Sequence, residues 1–350
     1  MGPHPPLESK VAMAESFRFT PSGGIVLTGM TFQTGAGNDV LEVNGTVVEN
    51  TVAENTVPEN TVPENTVPEV MFSPGNGFPV QIYGALFSRV NFSSQVHALN
   101  VRGFGGSAVP SEFPGWEPLK ADMRAYIAQN LSPPVILAGH SLGAMLCLQV
   151  AAEAPGLVSG LVLMEPIARG RRGDPWPTAR LSDGRSLIGL TRMRKNRWPS
   201  REEAATFFAT NKSYRDWHPE ALEAFLSHGL IEAVGDGAGQ GGLQLACPPW
   251  LEADFYALEP GELLFQWAER CQCPAVLMMG AESVVVHAEG MEDLTNAFGV
   301  GALLTLPGGH TFPMQHPLET ARALSRALAM LRGEGGARAV NKSAESGYRP

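Results

Sequence analysis

Val135-Ile136-Leu137-Ala138-Gly139-His140-Ser141-Leu142-Gly143-Ala144 is the stretch on which the reading of this chain turns. An apolar run of strand length enters it. An apolar run of helical length, Leu142 to Ala152, leaves it. Between them lies Gly-x-Ser-x-Gly, a sharp strand-to-helix turn that lifts Ser141 above the end of a sheet. Small residues flank the serine because side chains there would collide with the neighbouring strand and helix. Ser141 also stands at a helix N-terminus, where backbone N–H groups and the helix dipole favour a developing anion.

The same alternation continues on both sides of this stretch. Val70-Met71-Phe72, Gln95 to Val101, Pro134 to Ala138, Leu157 to Met164, Pro274 to Met279 and Ala302 to Leu306 are short apolar runs of strand length. Residues 116–130 and 317–332 read as helices. Apolar runs without strict alternation fit strands buried on both faces, so the expected class is α/β, with a mostly parallel, doubly wound sheet. Residues 167–270 break the rhythm with tryptophans, further helical segments and a glycine-rich stretch, Gly235 to Gly242. They read as an inserted helical lid over the C-terminal edge of the sheet, where α/β ligands bind.

The expected organisation is a flexible tail at 1–20, a first core part at 21–166, the lid at 167–270, a second core part at 271–332 and a tail at 333–350. A strand pair is expected around the polar turn at Gly35–Asp39, from Ile25-Val26-Leu27 to Val40–Val43. Residues 46–70 hold a period-five repeat, TVVEN, TVAEN, TVPEN, TVPEN, TVPEV. Its prolines forbid a helix or a central strand, and its glutamates keep it solvated, so it reads as an expanded surface loop.

A serine hydroxyl needs a base to act as a nucleophile. Leu306-Pro307-Gly308-Gly309-His310-Thr311 offers His310 in a glycine-rich turn after a strand, a placement that lets an imidazole reach over the sheet edge. His316 precedes Pro317 at the start of the last helix, and His287 and His228 lack such a setting. His140, beside the nucleophile, reads as lining the turn.

Residues 70–166 and 270–332 resemble the α/β-hydrolase superfamily, in its order of serine, acid and histidine. Phe72-Ser73-Pro74-Gly75-Asn76-Gly77-Phe78-Pro79 resembles its oxyanion loop, with Pro74 and Gly75 in place of the usual histidine neighbourhood. Asn100 to Ser107 resembles its Asp-x-Arg-Gly-x-Gly-x-Ser turn, with Asn100 in place of the aspartate. The resemblance implies an oxyanion hole made by the N–H groups of Phe78 (or Gly77) and Leu142. It leaves two places for the acid. One is Glu165, after the strand that follows the elbow. The other is Glu282, in Gly280-Ala281-Glu282-Ser283, where Ser283 holds the position of the family's usual aspartate.

Composition narrows the partners. Thirty-five acidic against 25 basic residues give a net charge of -10, which argues against binding nucleic acid by bulk charge. Apolar runs stay below the roughly 18 residues of a membrane span. The first residues lack the cationic start and apolar core of a secretion signal. Cys147, Cys247, Cys271 and Cys273 do not form a disulfide framework or a zinc pattern, so free thiols in a reducing, cytoplasmic setting are expected. Between Arg169 and Arg201 stand ten Lys or Arg against Asp174 and Asp183. This local reversal of charge is either a solvated lid face or a receptor for an anion.

The expected activity is serine hydrolysis of an ester or related acyl compound, with no metal or organic cofactor. The substrate is a small molecule of apolar acyl character, and Asn76, His140, Trp176 and Trp198 are candidate binding residues. The same triad also serves carbon–carbon hydrolases, acyltransferases, lyases and cofactor-free perhydrolases. A non-catalytic binding protein is the remaining alternative.

Overall fold

The computed structural model describes residues 14–21, 24–34, 68–174, 185–233 and 242–333. Its first strands are β1 (Ala14–Phe19), β2 (Leu27–Gln33), β3 (Val70–Ser73), β4 (Gln95–Leu99), β5 (Val135–His140) and β6 (Val158–Met164). The segment after β6 carries β7 (Arg197–Trp198), β8 (Leu230–Glu232) and β9 (Leu243–Leu245), which form a small sheet of their own. β10 (Ala275–Gly280) and β11 (Gly301–Leu306) complete the main sheet, ordered β1-β2-β4-β3-β5-β6-β10-β11. β3, β4, β5, β6, β10 and β11 run parallel, while β1 and β2 are antiparallel additions at one edge.

The helices are α1 (Gly84–Phe87), α2 (Trp116–Asn130), α3 (Leu142–Glu153), α4 (Leu187–Arg192), α5 (Arg201–Thr210), α6 (Pro219–His228), α7 (Pro249–Phe255), α8 (Leu263–Arg270), α9 (Ala288–Ala297), α10 (Phe312–Gln315) and α11 (Pro317–Leu331). α2, α3, α8 and α9 cover one face of the sheet through a core that includes Met123, Leu146, Phe265 and Leu294. α1 and α11 cover the other through Phe87 and Leu324. The apolar runs of β5, β6 and β10 are buried almost throughout, because helices lie on both sides of them. Each fully buried Val, Leu or Ile there is worth roughly 1.5–3 kcal/mol. α3 is buried at every position from Leu142 to Ala151, as a helix wedged between the sheet and α2 and α8 must be.

Three boundaries differ from the sequence expectation. Residues 14–19, assigned to a tail, form β1 and pair with β2 from Ala14↔Phe32 to Phe19↔Leu27. The strand pair thus reaches upstream of Gly24, and Val40–Val43 lie outside the described residues. The inserted segment also ends earlier than residue 270. α8 packs on α3 and α9, as the crossover helix before a parallel strand must. Residues 46–67 of the repeat and the stretch from Gly235 to Gly241 lie outside the described residues.

A group of aromatic residues in the insertion packs together. Trp198, Phe208, Tyr214, Trp217 and Phe225 join the second-face cluster, linked to the main body through Phe78, whose ring lies edge-on to Trp217 at 5.3 Å. Among the described residues no helix is long and apolar enough to cross a membrane.

Candidate active site

The turn after β5 is dictated by crowding. A Cβ on Gly139 would lie 2.4 Å from the Gly143 backbone, and one on Gly143 would lie 2.1 Å from the Ser73 carbonyl oxygen. Ser141 itself takes a left-handed φ of 53°, a conformation that costs of order 1–3 kcal/mol for a non-glycine residue. The sheet holds it there: the Ser141 N–H donates to Met164 O at 2.8 Å. One strand further on, Glu165 repeats the arrangement, with φ 52° and its N–H donating to Met278 O at 2.8 Å. Two neighbouring strands therefore end in strained residues at adjacent positions of the same sheet edge.

His310 follows β11 in the glycine turn and meets both. Its Nε2 lies 3.0 Å from Ser141 Oγ and its Nδ1 lies 3.0 Å from Glu165 Oε2. The Glu165 side chain has no exposed surface. Burying a carboxylate is costly unless donors replace water. Here the Gly280 N–H donates to Oε1 at 2.7 Å and the Ser283 hydroxyl donates to Oε2 at 2.7 Å. Glu282, the alternative acid, is exposed. Its neighbour Ser283, in the position of the family's usual aspartate, supports Glu165 instead.

His140 is fully buried and lies away from the cavity, contrary to the expectation of a binding role. The Gly75 N–H donates to Tyr83 Oη at 3.0 Å, so the tyrosine's own proton goes to His140 Nδ1 at 2.8 Å. Nε2–H of His140 then donates to the His310 carbonyl at 2.8 Å. One chain of hydrogen bonds thus ties the Gly75 loop to the backbone of His310. Burial, helped by the nearby His310 ring, pushes the His140 pKa down to about 3, so the ring is neutral.

The loop from Gly75 to Phe78 is a four-residue turn. Its Phe78 N–H donates to Gly75 O at 3.1 Å, and Gly77 takes φ 75° at the third position, where a type II turn needs glycine. The Phe78 N–H, expected in the oxyanion hole, is therefore committed to closing this turn. Asn76 instead lines the cavity beside Ser141 and Leu142. The Asn76 Nδ2 group donates to the Glu252 carbonyl of α7 at 2.9 Å. Arg194 grips the Glu252 carboxylate with two bonds of 2.7 Å and donates to Tyr214 Oη at 3.0 Å. Burial raises the Glu252 pKa, and Arg194 pulls it back.

The cavity holds about 220 Å³. Ser141 and His310 open into it, with Asn76, Trp116, Leu142, Met145, Ile167, Arg169, Leu187, Phe255, Leu258 and Glu259 among its walls. Trp198, a candidate for this wall, is 1% exposed in the core of the insertion against Phe207 and Phe208. Trp176 lies outside the described residues. Tyr83, Arg194 and Glu252, and the supporting role of Ser283, escaped the sequence reading because the pairs Tyr83–His140, Arg194–Glu252 and Ser283–Glu165 each join residues 57 or more positions apart. Among the described residues no cluster of three or more His, Cys, Asp or Glu could hold a metal.

A strained serine at a strand-to-helix turn, a histidine after the last strand and a buried acid between them, on a mostly parallel sheet, define the class. The chain belongs to the alpha/beta hydrolase family, whose model matches residues 70–323. Among solved structures, E-2-(acetamidomethylene)succinate hydrolase is similar at 18% identity and a TM-score of 0.65, over 90% of this chain and 99% of that one. The peroxisomal alpha-beta-hydrolase Lpx1 from Saccharomyces cerevisiae is similar at 14% identity and 0.67, over 97% and 93%. The thioesterase domain from the curacin biosynthetic pathway is similar at 16% identity and 0.63, over 91% and 99%. At these identities the likeness is one of fold. A search of curated proteins gives no match.

Proposed function

We propose that this hydrolase cleaves an ester or related acyl bond through Ser141, His310 and Glu165. The observation that carries the reading is the unbroken hydrogen-bond path from Ser141 Oγ through the imidazole to a buried carboxylate, opening into a cavity. Ser141 Oγ attacks the acyl carbon while His310 Nε2 takes its proton. Glu165 accepts from Nδ1–H, holding the tautomer and balancing the imidazolium. The N–H of Leu142, directly after the nucleophile, and that of Asn76, which lines the cavity beside it, serve in this reading as the donors to the developing oxyanion. Collapse breaks the bond to the leaving group, which receives the proton from His310. Water, deprotonated by the same ring, then attacks the acyl-enzyme and releases the acid and the free serine.

The cavity walls are mostly apolar, which suits an acyl chain or ring. None of these steps draws on a metal or organic cofactor. All four cysteines are free thiols, in keeping with a reducing compartment such as the cytoplasm.

Intact-mass spectrometry after fluorophosphonate treatment tests the reading. One adduct on the wild-type protein and none on Ser141→Ala is the expected result. No adduct on folded protein would remove the mechanism. A panel of esters, thioesters and carbon–carbon substrates then separates the chemistries that share such a triad.

A further inference from the structure

We propose that Arg169 is the receptor for a second, anionic group on the substrate, a carboxylate other than the acyl group that Ser141 attacks. The inference rests on the serine-hydrolase reading and narrows its substrate class.

Arg169 lies four residues beyond Glu165 on the segment leaving β6, and it lines the same cavity as Ser141 and His310. Its side chain is only 13% exposed. A guanidinium in that setting should have its donors satisfied, because each buried N–H without a partner carries a desolvation penalty. Yet Nε of Arg169 is buried and has no hydrogen-bond partner among the described residues. Among the described residues the carboxylate it meets is that of Glu259, held by Nη1 at 3.0 Å.

The Nε–Nη2 edge is the side of a guanidinium that takes a carboxylate in a two-bond fork. This molecule uses that edge elsewhere: Arg102 binds Asp122 through Nε at 2.6 Å and Nη2 at 2.8 Å. In Arg169 the Nε of that edge is idle, on a side chain that lines the cavity.

Glu259 completes the site. It also lines the cavity, and burial raises its pKa against the pull of Arg169. The resident ion pair leaves this wall near neutrality while no anion is bound. A substrate carboxylate would take the idle edge, and Glu259 would keep Nη1 or yield it. The cavity volume, below the roughly 300–1,000 Å³ of pockets for drug-sized ligands, limits the substrate to a compact one.

The test compares pairs of 4-nitrophenyl esters with acyl chains of equal length. The monoesters of succinate, glutarate and adipate are set against the butyrate, valerate and hexanoate, with the rate of Ser141→Ala subtracted. The quantity read is the ratio of kcat/KM, carboxylated over neutral, within each variant. The expected wild-type ratio exceeds about 10 at the best chain length, and Arg169→Met lowers it by about 10–100-fold, the range of one charge-assisted contact. Glu259→Gln, which removes the competing carboxylate, is expected to raise the ratio through a lower KM. Should Arg169→Met fail to fold, Arg169→Lys keeps the charge without the fork and is expected to give an intermediate ratio.

A wild-type ratio of 1 or less, or a high ratio that survives loss of the guanidinium, overturns the proposal. A second arm needs no turnover: calorimetric binding of glutarate to Ser141→Ala, weakened at least about 10-fold by adding Arg169→Met. The fluorophosphonate adduct reports separately on Ser141. An adduct without carboxylate preference or glutarate binding sinks only the inference about Arg169. Glutarate binding without an adduct sinks only the hydrolytic reading.

Discussion

At the scale of single residues, two glutamates compete in the sequence and one meets the histidine in space. Glu165 accepts from Gly280 N–H and Ser283 Oγ–H while facing His310. Glu165→Gln is expected to lower kcat by about 10⁴-fold, because the amide no longer holds the imidazole tautomer or balances its charge. Glu282→Gln should leave kcat within about two-fold, since that side chain is exposed and only its backbone N–H binds the His310 turn. Steady-state kinetics on any cleaved ester checks both, and the opposite ranking would exchange their roles.

His140 gives a second residue-level prediction. Its folded pKa lies near 3, against 6.5 for a free imidazole. The depressed value means that the unfolded chain binds the proton first. The contribution is therefore complete above pH 6.5 and is lost as pH falls from 6.5 towards 3, at up to about 1.4 kcal/mol per unit. Urea midpoints of the wild type at pH 7, 6, 5 and 4 should fall more steeply than those of His140→Gln. Parallel curves would show that His140 is protonated at no cost in the fold.

At the scale of elements, β5, the elbow and α3 act as one unit. Gly143 is where α3 starts against the Ser73 carbonyl at the end of β3. Gly143→Ala would force these elements apart and should cost about 3 kcal/mol or prevent folding. Soluble yield and a urea unfolding curve measure this, and an unchanged midpoint would mean that the approach relaxes freely. The local motifs were legible because each is contiguous: strand, turn and helix around Ser141, and strand and glycine turn before His310. The oxyanion turn was legible only as glycine-rich chain. Which N–H faces the cavity depends on how Gly75 and Phe78 close the turn, and that is a matter of backbone torsion which residue types alone leave open.

At the scale of the whole molecule, the insertion is fastened to the site where Glu252, gripped by Arg194, accepts the Asn76 amide through its carbonyl. The 58-residue separation of Arg194 and Glu252 hides the pair from any local pattern. The basic run that looked like one surface feature divides on folding. Arg194 is spent on structure, Arg169 faces the cavity, and Arg172 pairs with Glu262 at 3.2 Å. The tryptophans divide in the same way, because long-range packing decides whether an apolar ring meets substrate or its own core. Trp198 meets its own core. Arg194→Met would leave Glu252 buried and uncompensated, at a cost of roughly 3 kcal/mol. Because Asn76 is anchored on the Glu252 carbonyl, kcat should fall more than KM rises. Chemical unfolding and steady-state kinetics check the two halves, and a stable, fully active variant would refute the fastening role.

The register that seats Ser141 and Glu165 has a consequence for how this chain tolerates change in length. Both residues are counted off along neighbouring strands, Ser141 against Met164 and Glu165 against Met278. Side chains alternate faces along a strand, so deleting one residue within β6 brings Pro166 to the place of Glu165 and reverses every side chain behind it. Loss of one residue from the loop between α5 and α6 changes no such count. Substitutions and small deletions thus obey different rules here: β6 accepts many apolar exchanges but only one length.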